Sequence, residues 1–561
     1  MTEGVRRFDL KKLSVAIAAF VILLSVLFRL EHLRSAPFNE DEIDGLNVSW
    51  EISRGSELYI HIWDARAPLT FYINSLLLRL TPQDENTVIR LRYLYQLAVA
   101  TAFIFLFMAI ASFTDRASAM MTCALMAACS IFVSRTTQVR TDVFMFLFFA
   151  VAFYAFIGFR KRGRSYWLVI AGAMFALSTL CKHVGLFPFA AAATYLLMEI
   201  KTTGVAKLEA ARNLAILISS FIMAALVTML LMFGADVEQA LVSFFAEPFL
   251  LKFSESLRRQ ELRIFPEIIG NLPFWLIGIG AWIALHFRCR GPSSDASGRR
   301  FILINVYFAI FYLVVRGQIF EQDLIIPAFA IAWAAGHFHN DIVAWVRSRK
   351  GGVATLAVFY FLLGVFPLLF CQWHHNRDLT ESVRLNVKAH TEFIQANGIK
   401  KGEDPGIQKL AELYAGKFGT VDHLPGRRQW QQKLLLKSAL EKTSPNDFIL
   451  SEDDTPIFRH MTNPTVRAEQ FRNLLKFGDA RKGAARFSGL CRVEPALCEK
   501  GLNPDMRLMR ILEKNPPELI IMGNKLAEVL FSYDSVRAWL SARYCFSFDE
   551  ETITWMASPM G

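Results

Sequence analysis

Four acids fall within residues 38–44: Glu40, Asp41, Glu42 and Asp44. They follow directly on the first long apolar run. A carboxylate in such a place can take a proton from a hydroxyl within hydrogen-bond reach. Two more acids, Asp64 and Asp142, and four bases, Arg66, Arg140, Lys182 and Arg316, lie in the same loop or at the ends of later apolar runs. Cations of this kind steady an anionic leaving group such as a phosphate. Charge inside or at the edge of a membrane is costly, so acids and bases converging on one face point to function. Each piece also has a plainer reading. The four acids suit the first turn of an interfacial helix, favoured by its dipole. Tyr59, Trp63 and Tyr72 suit an aromatic belt, and Lys182-His183 suits a snorkelling turn. The pattern alone leaves both readings open.

The elements that must position these groups are membrane spans. The chain has 561 residues, is 53% hydrophobic and carries 49 Phe. Its mean hydropathy is positive. That places it among polytopic α-helical membrane proteins. The formal net charge is +11. The Lys and Arg fall mainly in short loops, so topology accounts for them and no nucleic-acid partner is expected. Arg6, Arg7, Lys11 and Lys12 precede an apolar run over 13–30, which predicts an uncleaved first helix with a cytoplasmic N-terminus. Residues 31–91 are then extracytoplasmic. A helix is predicted over 41–54, stopped by Gly55, and another over 67–80, both lying at the interface.

Apolar runs follow at 92–113, 117–134, 142–159, 166–181, 184–199, 213–234, 267–287, 301–315, 321–337 and 353–371. Each approaches the ~20 residues needed to cross a bilayer. With the first, they predict about eleven spans. That count puts the basic loops 160–164, 201–212, 288–300 and 347–350 inside and residues 373–561 outside. The expected domains are a membrane module, 1–372, containing the external loop 31–91, and a soluble α/β domain, 373–561. In the latter, 380–396 and 427–440 read as helices, and 447–450 and 518–522 as strands. Cys491 and Cys498 are available for a disulfide outside the cytoplasm. Cys123, Cys129, Cys181 and Cys371 read as packing residues.

The ordered set Asp41-Glu42, Gly55-x-x-x-Tyr59, then Trp63-Asp64-x-Arg66-x-Pro68-Leu69-x-x-Tyr72 resembles the first external loop of GT-C glycosyltransferases. The branch is that of protein O-mannosyltransferases and the lipid A aminoarabinose transferase, which use polyprenyl-phosphate sugars. Asp142 resembles the second acidic position of that branch and Lys182 its recurrent lysine. Arg316 through Pro327 resembles its late basic residue and proline-containing helix. In layout the resemblance covers residues 10–370.

It implies an inverting glycosyltransferase of the bacterial inner (plasma) membrane. The donor would be a polyprenyl-phosphate-linked sugar. The C-terminal domain and the bacterial style of the chain favour, as acceptor, a glycolipid or polysaccharide of the lipopolysaccharide type. Asp41 would be the general base, with Glu42 as the rival. Lys182, Arg66, Arg140 and Arg316 would bind the donor phosphate. Asp64, Asp142 and Tyr59 would orient the acceptor or those cations. The alternatives are a mannosyl-type protein O-glycosyltransferase and a transporter or flippase of lipid-linked sugars. A transporter would call for inverted repeats and broken helices, and the sequence shows neither. There are departures. Ala67-Pro68 stands where relatives often have Pro-Pro, and Ala65 where the aminoarabinose transferase has an acid. That enzyme also has a metal-binding histidine in a later external loop. No His occurs between His183 and His286 here, which argues against a bound metal.

Overall fold

The computed structural model describes residues 10–62, 64, 66–202, 207–246, 265–289, 296–316, 321–347, 352–370, 429–451, 460–461, 503–522, 524–531, 533–549 and 554–560, with a few isolated residues between 391 and 410. The expected disulfide Cys491–Cys498, the loop 247–264 and most of the helix expected over 380–396 lie outside them. The chain forms two compact units. The first comprises residues 1–33, 93–234 and 252–374; the second comprises 34–92, 235–251 and 375–561. The external loop thus groups with the C-terminal residues.

The first unit is helical. Its elements include α1 (Leu10–Ser35), α4 (Thr87–Phe113), α5 (Arg116–Ala128), α6 (Ser130–Thr136), α7 (Thr141–Arg162), α8 (Tyr166–Cys181), α9 (Leu186–Thr202), α10 (Lys207–Phe233), α11 (Leu272–Arg288), α12 (Ala296–Arg316) and α13 (Ile325–His337). Among the described residues, five helices are long and apolar enough to cross a membrane: α1, α4, α7, α10 and the 298–315 part of α12. The run expected as one span over 117–134 is a broken pair, α5 and α6, bent by 67°. Other expected spans, such as α8, α11 and α13, are shorter apolar helices.

The aromatic content becomes packing between spans. Phe153 of α7 meets Trp333 of α13 with ring centroids 4.9 Å apart, and Phe301 of α12 lies 5.5 Å from Trp333. Such edge-on contacts add about 0.5–1.5 kcal/mol each beyond area burial. One glycine permits a close crossing: a Cβ on Gly336 would lie 2.1 Å from Thr122 Oγ1, so α13 meets α5 there without a side chain between them.

The break at Cys129 frees backbone groups that lipid could not satisfy. Long-range partners take them. Ser25 Oγ donates to the Ala127 carbonyl at 2.5 Å. The Ser130 N–H donates to Asn271 Oδ1 at 3.1 Å, and Asn271 Nδ2 donates to Ser130 Oγ at 2.6 Å. Asn271 is fully buried. The sequence pattern did not mark this broken helix because neither Gly nor Pro stands at it; the residues that hold it are more than 100 positions away.

In the second unit α2 (Glu40–Ser53) and α3 (Leu69–Leu80) pack together. Asn39 caps α2: its side chain accepts from the Asp41 N–H, and Glu42 reaches back to the Asn39 N–H, completing a capping box. Gly55 stops the helix at φ +103°, a conformation that suits only glycine. A five-stranded sheet forms from β1 (Phe448–Ser451), β2 (His460–Met461), β3 (Leu519–Ile521), β4 (Tyr544–Asp549) and β5 (Thr554–Pro559). Its order is β2-β1-β3-β5-β4, with β1 parallel to β2 and β3, and the pairs β3–β5 and β5–β4 antiparallel. The preceding helix α14 (Gln429–Lys442) buries Leu435 and Ala439 against Ile449, Leu519, Ile521 and Met556.

Candidate active site

The second unit holds the acidic loop. Glu42 is sealed from solvent and so is its partner. Arg92, on the first turns of α4, which belong to this unit, donates Nε to Glu42 Oε1 at 2.9 Å and Nη2 to Glu42 Oε2 at 2.6 Å. The same guanidinium donates to the Ala36 and Pro37 carbonyls, both at 2.8 Å, and stacks over the Phe38 ring at 5.2 Å. A carboxylate held by a two-pronged arginine in a dry site is a structural clasp. Glu42, expected as the rival base, has no surface on which an acceptor hydroxyl could reach it.

Asp41 stands one residue away and is half-buried. Its N–H donates to Asn39 Oδ1 at 3.1 Å, and its carbonyl accepts from Arg66 Nη1 at 2.8 Å. Arg66 in turn grips Asp64 through Nε–Oδ1 at 2.9 Å and Nη2–Oδ2 at 2.6 Å. The guanidinium expected on the donor phosphate thus also meets the acidic loop. Tyr59 OH donates to the Arg66 carbonyl at 3.0 Å. Tyr59 is buried at φ +69°, the one non-glycine with positive φ among the described residues. Such a conformation costs about 1–3 kcal/mol and persists where its surroundings over-determine it. Burial, with Glu57 nearby, pushes the Tyr72 phenol up to about 12.

The first unit holds a second centre of a different kind. Asp142, in the first turn of α7, is 1% exposed. Two cations share it. Lys182 Nζ approaches Oδ1 at 2.6 Å and Arg140 Nε approaches Oδ2 at 3.4 Å. Lys182 sits in extended backbone between α8 and a short 3-10 turn, His183–Gly185. Its side chain keeps 19% of its surface, against 6% for Arg140. Arg316 ends α12, and its side chain is not described. Among the described residues, no three His, Cys, Asp or Glu side chains gather where they could hold a metal ion.

The comparisons with known proteins follow this layout. A family model described as dolichyl-phosphate-mannose-protein mannosyltransferase matches residues 65–232. ArnT from Cupriavidus metallidurans, solved bound to undecaprenyl phosphate, superposes with a TM-score of 0.57 at 14% identity, over 98% of each chain. The archaeal oligosaccharyltransferase AglB from Archaeoglobus fulgidus, solved with an inhibitory peptide and a dolichol-phosphate, gives 0.52 at 10% identity. That match covers 98% of this chain and 74% of AglB. The chain has the GT-C fold. Among curated proteins, none matches it by sequence.

Within this GT-C fold the family match takes in Arg66, Arg92, Arg140, Asp142 and Lys182 and begins after Asp41 and Glu42. The structure pairs Asp64 with Arg66, and Asp142 with both Lys182 and Arg140. Sequence reading missed Arg92, which it treated as the edge of an apolar run. It also missed Arg29, a 5% exposed arginine within α1 whose Nη1 donates to Thr136 Oγ1 at 2.7 Å. For Arg29 the signal was present, since an arginine inside an apolar run needs a partner; Arg92, at the edge of its run beside Arg90, carried none.

Proposed function

We propose that this integral-membrane protein is a glycosyltransferase acting on a polyprenyl-phosphate-linked sugar at the extracytoplasmic face of a bacterial inner membrane. The N-terminus is cytoplasmic, residues 373–561 are outside, and the acceptor is a glycolipid or polysaccharide of the lipopolysaccharide type. The observation that carries this is Asp142 shared by Lys182 and Arg140, in a fold held in common with ArnT over nearly its whole length. Lys182 keeps part of its surface beside Asp142, where a phosphate can reach it, and ArnT binds a ligand of that kind, undecaprenyl phosphate.

The chemistry divides into two demands. An acceptor hydroxyl must lose its proton as its oxygen bonds to the sugar C1, and Asp41 is the base that takes it. The C1–O bond to phosphate breaks in the same step, through an oxocarbenium-like state like that of glycoside hydrolysis. The bonding electrons leave on polyprenyl phosphate, whose growing charge Lys182 and Arg140 steady. A single displacement inverts the anomeric centre. Arg66, Asp64, Arg92 and Glu42 hold the loop that bears Asp41.

A protein acceptor is the second reading. It is favoured by the match to the protein mannosyltransferase family model. In either case Asp41→Asn removes the base without changing size. Transfer should fall about 10²–10⁴-fold, with unchanged insertion and thermal midpoint. Surface glycolipids and glycoproteins compared by mass with and without the gene identify the acceptor. Wild-type transfer by purified Asp41→Asn protein would remove Asp41 as the base.

A further inference from the structure

We infer that Gln432, in the C-terminal region, is a positioning residue for the acidic loop, so that the C-terminal sheet is also the mount of the reaction's base. This rests on the reading of Asp41 as that base.

Gln432 lies on α14 and is 5% exposed. Its amide reads the Phe38 backbone in both directions. The Phe38 N–H donates to Gln432 Oε1 at 2.5 Å, and Gln432 Nε2 donates to the Phe38 carbonyl at 3.0 Å. A neighbouring β-strand would offer the same two bonds; here one side chain supplies them from 394 positions away. Three and seven residues further on, along the same stripe of α14, Leu435 and Ala439 are fully buried against the sheet.

This clasp closes a sequence of restraints. Arg92 holds the carbonyls of Ala36 and Pro37, Gln432 holds Phe38, Glu42 takes the Asn39 N–H at 3.3 Å, and Asn39 and Arg66 hold Asp41. Phe38 is the step at which the restraint comes from the C-terminal region. Nearby contacts follow the same course: Lys433 Nζ donates to Asn86 Oδ1 at 2.7 Å, and Arg54 Nη2 donates to Asn446 Oδ1 at 3.1 Å. A general base works only within hydrogen-bond reach of its proton, and a supporting shell loose by about 1 Å loses much of that advantage. Both a donor and an acceptor are needed toward Phe38, which Gln supplies and Glu or Ala does not.

The test is hydrogen exchange on the purified full-length protein. In Gln432→Ala, amides within 36–44 should exchange about tenfold faster or more, as two buried hydrogen bonds are lost. Gln432→Glu, which keeps the acceptor, should fall between. Amides of β1 and β3 should not change. Unchanged exchange at 36–44 would overturn the proposal. Faster exchange spread over the sheet would overturn it too, because it would assign Gln432 to folding of the domain. Turnover of undecaprenyl-phosphate-linked mannose gives the second readout: kcat per folded molecule falls with donor KM unchanged, and a change in KM alone counts against positioning. Full transfer by Asp41→Asn would sink the base assignment and leave the exchange result standing, so the two failures are distinguishable.

Discussion

Glu42 and Asp142 are both buried acids paired with basic side chains, and they are treated in opposite ways. Glu42 meets one arginine, prong for prong, with neither side chain reaching solvent. Asp142 is divided between Lys182 and Arg140, and the lysine keeps a fifth of its surface. The first arrangement balances its charges and shuts water out. The second joins two cations to one carboxylate and keeps one side open. A balanced, sealed pair gains nothing by meeting a substrate and serves to hold a shape. A partly open set with a lysine at its surface is suited to an incoming anion. Exposure separates the two centres more clearly than residue type does, since both join acids to bases.

The sharpest way to break this contrast is Arg92→Ala. It strands Glu42 in a dry site and should lower stability by about 3–5 kcal/mol, read as a large drop in thermal midpoint in detergent. Replacing both Glu42 and Arg92 by Leu should recover part of the loss, because no charge is then left buried. A small effect of Arg92→Ala would mean that the pair is not the clasp described. Asp142→Asn should cost less, about 1–3 kcal/mol, because Lys182 can turn toward water. Its larger consequence should be disordered cations and weaker donor use, measured as a raised donor KM.

The smallest effect comes two residues from the sealed arginine. Arg90 grips Asp84 with Nη1–Oδ1 and Nη2–Oδ2 both at 2.8 Å, yet both side chains remain more than a third exposed. Arg90→Gln should therefore change stability by less than about 1 kcal/mol. The hydrogen bonds from Arg90 hold the Asp84 carboxyl below its ordinary range. A depressed folded pKa means that this contribution is present above the usual carboxylate range and is lost as pH falls below it. The Arg90→Gln and wild-type midpoints should converge on acidification, and a gap that widened toward low pH would contradict the pairing.

Local signals made much of the fold legible. Gly55, and the acids at the start of the 41–54 stretch, marked both ends of α2, and Pro68 marked the start of α3. The apolar runs became helices, and 447–450 and 518–522 became β1 and β3. Features held by distant partners were not legible. The bend at Cys129 depends on Asn271 and Ser25, and no local breaker announces it. At the site, Lys182 with Asp142 and Arg66 with Asp64 were legible as charged residues in recurring places. Their exact partners were not, because a side chain's reach depends on the fold. The burial of Glu42 was not legible for the same reason. Next to Asp41 it looked equally available, and only its burial against Arg92 separates the two. Gln432 gave no signal, since a glutamine in a polar helix is ordinary until its amide meets Phe38.

Binding of undecaprenyl phosphate to purified wild-type, Asp41→Asn and Lys182→Ala proteins tests the division of labour most directly. Asp41→Asn should bind as tightly as wild type. Lys182→Ala should bind about tenfold or more weakly, the loss of a charge-assisted contact. Lost binding in Asp41→Asn together with wild-type binding in Lys182→Ala would contradict the account.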